Sequence, residues 1–287
     1  MNNNQITPNI FGSLIDHTQL MPFATKEQIK QLCEEAVEFG TATVCVNESR
    51  VEDAKFFLDE LNAGHNSEDH SDKDHHKVKV CCVVGFPLGS VTTNIKIASA
   101  IDAIYKGAEE IDMVINVGYL KDKDFDRFEQ DIEAVIEAID NYNAEHSTNI
   151  ILKIIQENCY LTDEEIAFTT KTIAKLAMNF KNVKVFAKTS TGFGLPKKGP
   201  VDKEDVGATI HDVEIMRSAI LDVTGEYIVG IKAAGGIKDK ETALKMLKAA
   251  GCFTEDDSEE GNNDSNLVNN YKELFRIGAS ATKEICK

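Results

Sequence analysis

The sequence predicts a (β/α)8 barrel, and three of its features lead to that prediction. Short apolar runs rich in Val, Ile and Phe alternate along the chain with longer segments of helical periodicity. Such alternation builds parallel strands through βαβ crossovers, and eight units close naturally into a barrel. The length of 287 residues is sufficient for this fold. A doubly wound open sheet is the main alternative, but no G-x-G-x-x-G motif follows the first strand to support a dinucleotide-binding form of it.

The individual elements follow from periodicity, capping residues and glycines. Apolar, β-branched runs predict strands at 13–18, 41–46, 78–84, 110–116, 150–157, 183–190, 227–233 and 274–278. Amphipathic segments predict helices at 25–39, 51–61, 92–105, 125–143, 162–179, 207–221 and 239–249, with a short helical tail. Thr25 is expected to cap the first helix and Gly40 to close it, while Thr162 and Glu165 have the spacing of a capping box.

We expect one domain over residues 1–287, with loop insertions at 65–77, 195–205 and 254–270. The first insertion is rich in His, Asp and Ser, and the third is acidic and Asn-rich, so both are expected to be solvated. The second is either a lid or an inert loop. The histidine spacing in the first matches no standard metal-ligand set, so we predict no metal site there. These histidines are His65, His70, His75 and His76.

Composition limits the classes of function. The formal charge of −17 argues against nonspecific binding to nucleic acid or to anionic membrane surfaces. No apolar run is long enough to cross a bilayer, and the polar opening lacks the pattern of a signal peptide. Seven cysteines without a C-x-x-C pair indicate reduced thiols. We therefore expect a cytoplasmic protein that binds neither nucleic acid nor membranes.

Charged residues interrupt four of the predicted apolar strands. They are Asp112, Lys153, Lys188 and Lys232. A lone lysine at a strand end usually extends its ammonium into water, and this is the simplest interpretation of Lys188 taken by itself. Side chains alternate along a strand, which puts Phe186 on the same face as Lys188 and places Val185 and Ala187 on the other. If the four strands share one barrel, the four charges converge where barrels hold catalytic groups.

Glycines after the last two strands indicate a phosphate site. Gly235 and Gly236 follow the seventh strand, and Gly278 and Ser280 belong to the end of the eighth. Loops at these positions often hold phosphate in barrels, because exposed backbone N–H groups at a helix start attract anions. Lys238 adds a positive charge nearby. The alternative is that these glycines only permit tight turns.

The lysines indicate amine chemistry. A neutral lysine attacks a carbonyl and forms a Schiff base, whose protonated form accepts electrons from a breaking carbon–carbon bond. A neighbouring ammonium favours the neutral nucleophile by like-charge repulsion. An acid/base group such as Asp112 then moves protons.

Several ordered motifs resemble the deoxyribose-phosphate aldolase family of class I aldolases. They are Ile15-Asp16-His17-Thr18, Thr43-Val44-Cys45-Val46-Asn47, Val84-Gly85-Phe86-Pro87-Leu88-Gly89, Glu110-Ile111-Asp112-Met113-Val114-Ile115-Asn116, Lys188-Thr189-Ser190-Thr191-Gly192 and Lys232-Ala233-Ala234-Gly235-Gly236. The resemblance runs along most of the chain. It implies a (β/α)8 barrel and reversible cleavage of 2-deoxy-D-ribose 5-phosphate to D-glyceraldehyde 3-phosphate and acetaldehyde.

The resemblance also implies residue roles by matching positions. Lys188 would form the Schiff base, Lys232 would keep it reactive and Asp112 would serve in the proton relay. Substrate would be bound by Lys153, Asp16, Thr18, Cys45 and Thr189. Phosphate would be bound by Gly192, Gly235, Gly236, Lys238, Gly278 and Ser280. Phe193 stands where some members of the family have a phosphate-binding lysine.

No cofactor or metal is expected, and the expected partner is a small phosphorylated sugar. Barrels of this kind often form dimers, so a homodimer is a further expectation. Two other functions stay open at this point. Another class I aldolase would share the imine chemistry and use another donor, and a phosphosugar-binding barrel would bind substrate without turnover.

Overall fold

Eight parallel strands form a closed barrel in the computed structural model, which describes residues 11–64, 77–201, 205–253 and 271–287. Each strand pairs with its neighbours in sequence, and β1 pairs with β8 to close the barrel. The strands are β1 Ile15–Gln19, β2 Thr43–Val46, β3 Lys79–Val84, β4 Glu110–Val114, β5 Ile151–Ile155, β6 Lys184–Lys188, β7 Gly230–Ala234 and β8 Phe275–Ala279. The predicted (β/α)8 barrel is thus confirmed.

Helices follow the strands along the chain and surround the barrel. They are α1 Lys26–Phe39, α2 Val51–Gly64, α3 Thr93–Tyr105, α4 Val117–Lys121, α5 Phe125–His146, α6 Asp163–Ala177, α7 Ile210–Thr224, α8 Lys240–Ala249, α9 Tyr271–Leu274 and α10 Thr282–Cys286. Both predicted helix starts are confirmed, because Thr25 and Thr162 form capping boxes with Gln28 and Glu165. Gly40 ends α1 in the left-handed conformation, as expected.

Several predicted boundaries were wrong by a few residues. The helix expected at 207–221 begins at Ile210 and ends at Thr224, because Thr209 caps it and Gly225 closes it. The strand expected at 150–157 ends at Ile155, because Glu157 adopts a left-handed conformation with φ of 59°. The strand expected at 227–233 begins only at Gly230. The short helix α4 was not predicted, and Asn116, expected in a strand, is its N-cap.

Residues 65–76 of the predicted insertion at 65–77 and the whole predicted insertion at 254–270 lie outside the described residues, as do all four histidines and residues 202–204. Of the insertion at 195–205, the described part contains a 3₁₀ turn at Pro196–Lys198. The Leu195 N–H donates to the Tyr160 hydroxyl at 2.8 Å, which anchors the start of this segment to the loop after β5. Whether the segment acts as a lid stays a prediction.

Side chains on the two faces of each strand enter different cores. Val185 and Ala187 belong to the large apolar core between the strands and the helices, whereas Phe186 points into the barrel with Lys188. This confirms the predicted alternation. A Cβ on Gly230 would lie 2.3 Å from the Phe186 ring, so only glycine fits beside that ring.

Within the described ranges, no helix has both the length and the apolar character that a membrane span requires.

An ion pair between α3 and α5 is fully buried outside the barrel. Lys96 Nζ donates to Asp131 Oδ2 at 2.5 Å, and the Thr93 hydroxyl donates to Asp131 Oδ1 at 2.8 Å. The side chains of Lys96 and Asp131 are 0% and 1% exposed. Burial lowers the pKa of Lys96, and the charge of Asp131 opposes that shift. The stability of this buried pair therefore requires both side chains, because each compensates the charge of the other.

We expect Lys96→Met to lower the free energy of unfolding by about 3 kcal/mol, because Asp131 would be left as an uncompensated buried charge. Urea unfolding measures this change. The matched control is Lys245→Met on α8, whose pair with Glu241 is exposed and is worth about 0.5 kcal/mol. Equal effects of the two substitutions would contradict the prediction.

Candidate active site

The four charged residues predicted to converge do so around one carboxylate, that of Asp112. Strand register places Lys153 beside Asp112 and Lys232 beside Lys188. Asp112 Oδ1 accepts a hydrogen bond from Lys153 Nζ at 2.9 Å. Asp112 Oδ2 accepts from Lys188 Nζ at 2.6 Å and from Lys232 Nζ at 2.7 Å. Three ammonium groups therefore share one buried carboxylate.

Two further carboxylates complete the charge balance. Asp16 on β1 pairs with Lys232, and its Oδ2 lies 3.4 Å from Lys153 Nζ. Glu110 Oε2 lies 2.6 Å from Lys153 Nζ. Glu110 was not among the predicted site residues, although it precedes Asp112 by two residues and so lies on the same face of β4. That spacing was the signal that could have found it.

Accessibility distinguishes Lys188 from the other two lysines. Its side chain keeps 4% of its surface exposed, whereas those of Lys153 and Lys232 keep 0% and 1%. Lys188 therefore does not extend into bulk water, as a lone strand-end lysine would. Lys188 is thus the least buried of the three lysine side chains, although all three are buried.

The charges fix the protonation of the cluster. Burial alone would raise the pKa of Asp112, but the ammonium groups of Lys153, Lys188 and Lys232 hold that pKa well below its usual range. Burial would likewise lower the pKa of Lys232, but Asp112 and Asp16 raise it far above the ordinary value. The pKa of Lys153 is raised by the same two carboxylates. At neutral pH Lys232 and Lys153 are therefore cations, and Asp112 is an anion.

Cys45 forms part of a small apolar wall beside these charges. It packs inside the barrel with Leu20, Cys81 and Val83. A hydrogen bond with Cys81 and the charge of Lys232 lower the pKa of Cys45 despite its burial, whereas burial raises the pKa of Cys81. This wall gives the amines a low-dielectric side, which strengthens their electrostatic interactions.

The sulfurs of Cys45 and Cys81 and a carboxylate oxygen of Asp112 lie within 4.8 Å of one another, a spacing that could suit a metal ion. However, Lys153 Nζ donates to both Asp112 Oδ1 and Cys81 Sγ, at 2.9 and 3.3 Å. An ammonium thus occupies the ligand atoms, and the raised pKa of Cys81 disfavours the thiolate that metals bind. The donor set favours amine chemistry over a metal site.

Two predicted substrate-binding residues have their hydroxyls engaged with backbone. The Thr18 hydroxyl donates to the Asp16 carbonyl at 2.7 Å, and the side chain stays half-buried. The Thr189 hydroxyl donates to the Ala234 carbonyl at 3.2 Å and accepts from the Ala234 N–H at 3.1 Å. Thr189 is fully buried. Its observed contacts join the ends of β6 and β7, so it fixes Lys188 relative to Lys232.

Three of the predicted phosphate-binding glycines lie in loops that meet at the carboxyl ends of the strands. Gly192, Gly235 and Gly236 have φ values of 82°, 87° and 78°, a region that favours glycine. A Cβ on Gly235 would lie 2.7 Å from the Cα of Gly207 and 3.6 Å from that of Gly192. The loops after β6 and β7 therefore approach each other closely, and their backbone N–H groups can serve one anion.

The other three predicted phosphate residues are placed differently from one another. Lys238 and Ser280 are exposed, in the segments that precede α8 and α10. Gly278 lies within β8, where a Cβ would come within 3.1 Å of Lys232 Cε and 2.9 Å of Ala234 Cβ. The observed effect of Gly278 is thus to leave room for the Lys232 side chain.

The buried position of Asp16 leads to a prediction about pH. Burial opposes ionisation, but Lys153 and Lys232 lower the pKa of Asp16 from 3.8 to about 2. The stabilisation that ionised Asp16 contributes is therefore present above pH 4 and is lost as pH falls through the folded pKa.

We expect Asp16→Asn to have a lower free energy of unfolding than the wild type at pH 6, and the difference between the two proteins to be about 1 kcal/mol smaller at pH 3. Urea unfolding across pH, with exposed Glu52→Gln as control, measures this. A gap that stays constant with pH would contradict the prediction.

Comparison with known proteins gives consistent matches. Residues 12–284 match the model of a family described as DeoC/LacD family aldolase. A deoxyribose-phosphate aldolase from Thermococcus gammatolerans is 41% identical over 235 residues, covering 82% of this chain and 87% of that protein. One from Clostridium perfringens is 36% identical over 276 residues, covering 96% and 94%.

A solved structure agrees in fold. A crystal structure from Coccidioides immitis, provisionally assigned as a deoxyribose-phosphate aldolase, has a TM-score of 0.70 and 32% identity, covering 98% of this chain and 85% of that one. Sequence and structure matches thus extend over nearly the whole chain. This chain belongs to the DeoC/LacD family of aldolases.

Proposed function

We propose that this protein is a deoxyribose-phosphate aldolase, which cleaves 2-deoxy-D-ribose 5-phosphate reversibly to D-glyceraldehyde 3-phosphate and acetaldehyde. A relative that carries this name is 41% identical to the chain over 235 residues. The observation that carries the proposal is the Asp112 carboxylate, which three buried lysine side chains share. This arrangement supplies a nucleophilic amine, a fixed neighbouring cation and a charged group for proton transfer.

Lys188 is the nucleophile in this proposal. Its neutral amine adds to the aldehyde carbon of the open-chain sugar to give a carbinolamine, and uptake of one proton with loss of water gives the protonated imine. Lys232 keeps its proton and repels a second positive charge at Lys188, which favours the neutral amine. When Lys188 loses its proton, Asp112 loses one of the charges that lower its pKa, so it becomes a better proton acceptor at the moment when one is needed.

Bond cleavage follows from the protonated imine. The bond between C2 and C3 breaks, its electron pair moves into the imine system to give an enamine, and the C3 hydroxyl loses its proton to give glyceraldehyde 3-phosphate. Protonation of the enamine at C2 and hydrolysis of the imine release acetaldehyde and restore Lys188. Asp112, bonded to all three lysines, is placed to transfer these protons through water.

In this proposal, the substrate phosphate binds at the glycine loops after β6 and β7. Gly192, Gly235 and Gly236 offer backbone N–H groups there, and exposed Lys238 and Ser280 lie at the same end of the barrel. Phe193 supplies no charge, and its ring packs edge-on against Phe86 with centroids 5.3 Å apart. Because position 193 has no lysine, the backbone N–H groups supply a larger share of the phosphate binding than they would in a loop with a lysine there.

The cytoplasmic location and the homodimer expected from the sequence stay predictions, because contacts within one chain determine neither.

Trapping with borohydride tests the nucleophile. In the presence of 2-deoxyribose 5-phosphate, we expect a reduced adduct on Lys188, seen by intact mass and peptide mapping, together with acetaldehyde release. Lys188→Ala should give no adduct and lower kcat by about a thousandfold or more, because the covalent path is lost.

The control for this experiment is Lys175→Ala, which removes an exposed lysine of α6 and should leave trapping and turnover unchanged. Turnover retained in Lys188→Ala would overturn the mechanism. Trapping with other phosphorylated aldehydes and ketones but not with 2-deoxyribose 5-phosphate would assign another donor and overturn the proposed substrate.

Substitution of Lys232 tests the proposed activation. We expect Lys232→Leu to shift the pH profile of kcat/KM to higher pH by about one unit or more, because the repulsion that favours a neutral Lys188 is removed. Lys175→Leu is the matched charge-removing control. A profile that falls in amplitude without moving along the pH axis would contradict this role for Lys232.

A further inference from the structure

Glu157 is a buried carboxylate that the mechanism above does not use. It lies two residues after β5, is 2% exposed and adopts a left-handed backbone conformation that is uncommon for residues other than glycine. Within the described ranges, no lysine, arginine or histidine lies within ion-pair distance of it. A charge in this position is costly unless other donors compensate it.

Both carboxylate oxygens of Glu157 accept hydrogen bonds from a single residue. The Thr191 N–H donates to Oε1 at 3.1 Å, and the Thr191 hydroxyl donates to Oε2 in a short hydrogen bond. Thr191 is itself buried and lies three residues after Lys188. Glu157 therefore holds the loop after β6 by two atoms of one residue, which fixes both the position and the rotamer of Thr191.

The Thr191 hydroxyl also restrains the residues that follow it in the loop. It accepts a hydrogen bond from the Phe193 N–H at 3.0 Å, across Gly192 with its φ of 82°. The next residue, Gly194, packs so closely that a Cβ would lie 2.4 Å from Cys159 Sγ and 3.5 Å from Glu157 Cδ. The turn from Thr191 to Gly194 thus packs against the side chains of Glu157 and Cys159.

Burial and hydrogen bonding act on the pKa of Glu157 in opposite directions. Burial raises the pKa of Glu157, while the hydrogen bonds from Thr191 and the charge of Lys188 act in the opposite direction. The Thr191 donors thus favour the carboxylate, which accepts from both of them at once. A protonated Glu157 would have to give up one of these acceptor positions.

We propose that Glu157 is a positioning residue that acts through Thr191, setting the loop of Thr191 to Gly194 so that its backbone receives the substrate phosphate. The inference deepens the proposed function and rests on it. In the described part of the chain, Glu157 forms no hydrogen bond or ion pair with Lys188. Loss of the Glu157 carboxylate should therefore lower kcat/KM for a phosphorylated substrate more than it affects imine formation at Lys188.

The test compares 2-deoxyribose 5-phosphate with 2-deoxyribose, which lacks the phosphate. Thr191→Val removes the hydroxyl that links Glu157 to the Phe193 N–H. We expect kcat/KM for the phosphorylated sugar to fall by about 30-fold, mostly through KM, because a hydrogen bond to a charged group is lost. For the unphosphorylated sugar the fall should stay within about threefold. Glu157→Gln keeps the side-chain shape and loses one acceptor, and should give about a tenfold loss with the same dependence on phosphate.

Two further variants separate positioning from general damage to the loop. Thr191→Ser keeps the hydroxyl and should restore kcat/KM to within about threefold of the wild type. Ser190→Ala removes a neighbouring buried hydroxyl that has no hydrogen-bond partner in the described chain. It should change kcat/KM for neither sugar by more than about twofold. Thermal unfolding of each variant reports whether the fold is intact.

The outcomes are distinguishable. Turnover by the wild type, with equal losses on both sugars in Thr191→Val and Glu157→Gln, would overturn this inference and leave the proposed function standing. Equal kinetics of Thr191→Val and Thr191→Ser would overturn it as well. Absence of turnover by the wild-type protein on the phosphorylated sugar would overturn the proposed function, and this inference with it.

Discussion

The buried carboxylate of Asp112 is the point on which the interior of this barrel depends. Lys153, Lys188 and Lys232 come from three different strands, and each alone would be a costly buried cation. Together they share Asp112, with Asp16 and Glu110 as further counter-charges. The balance holds only in the observed register, because a shift of one residue would turn each lysine to the opposite face of its strand.

The fold separates stability from chemistry into two layers. The apolar side chains that face outward from the strands pack against the helices and form the large core, whereas the barrel interior carries the charges. Barrel interiors are usually filled by branched apolar side chains. Here Phe186, which fits against Gly230, fills part of the interior below the lysines, and the small wall around Cys45 lies beside them. The outer layer therefore supports an interior whose polar groups could not themselves form a stable core.

Much of this arrangement could be predicted from the sequence, because it follows from the two-residue period of a strand. Apolar runs identified the eight strands, the two-residue period identified the faces of Phe186 and Lys188, and the barrel closure predicted the convergence of Asp112 with three lysines. What could not be predicted depends on loops. Glu157 meets Thr191 across 34 positions in sequence, and Gly207 packs on Gly235 instead of starting a helix. Such contacts arise from the closure of chain segments between elements, for which the sequence shows no period.

The same charge balance bears on why an imine suits this site. In the proposed mechanism, attack by Lys188 requires its neutral form, which leaves Asp112 with two ammonium partners instead of three. Formation of a protonated imine restores a positive charge at the position that the Lys188 ammonium held. The Asp112 carboxylate, which lies 2.6 Å from Lys188 Nζ, therefore favours the protonated imine over the neutral one, in opposition to the repulsion from Lys232. The protonated form is the electron acceptor that carbon–carbon cleavage needs, so the interaction that makes three buried lysines tolerable also stabilises the reactive intermediate.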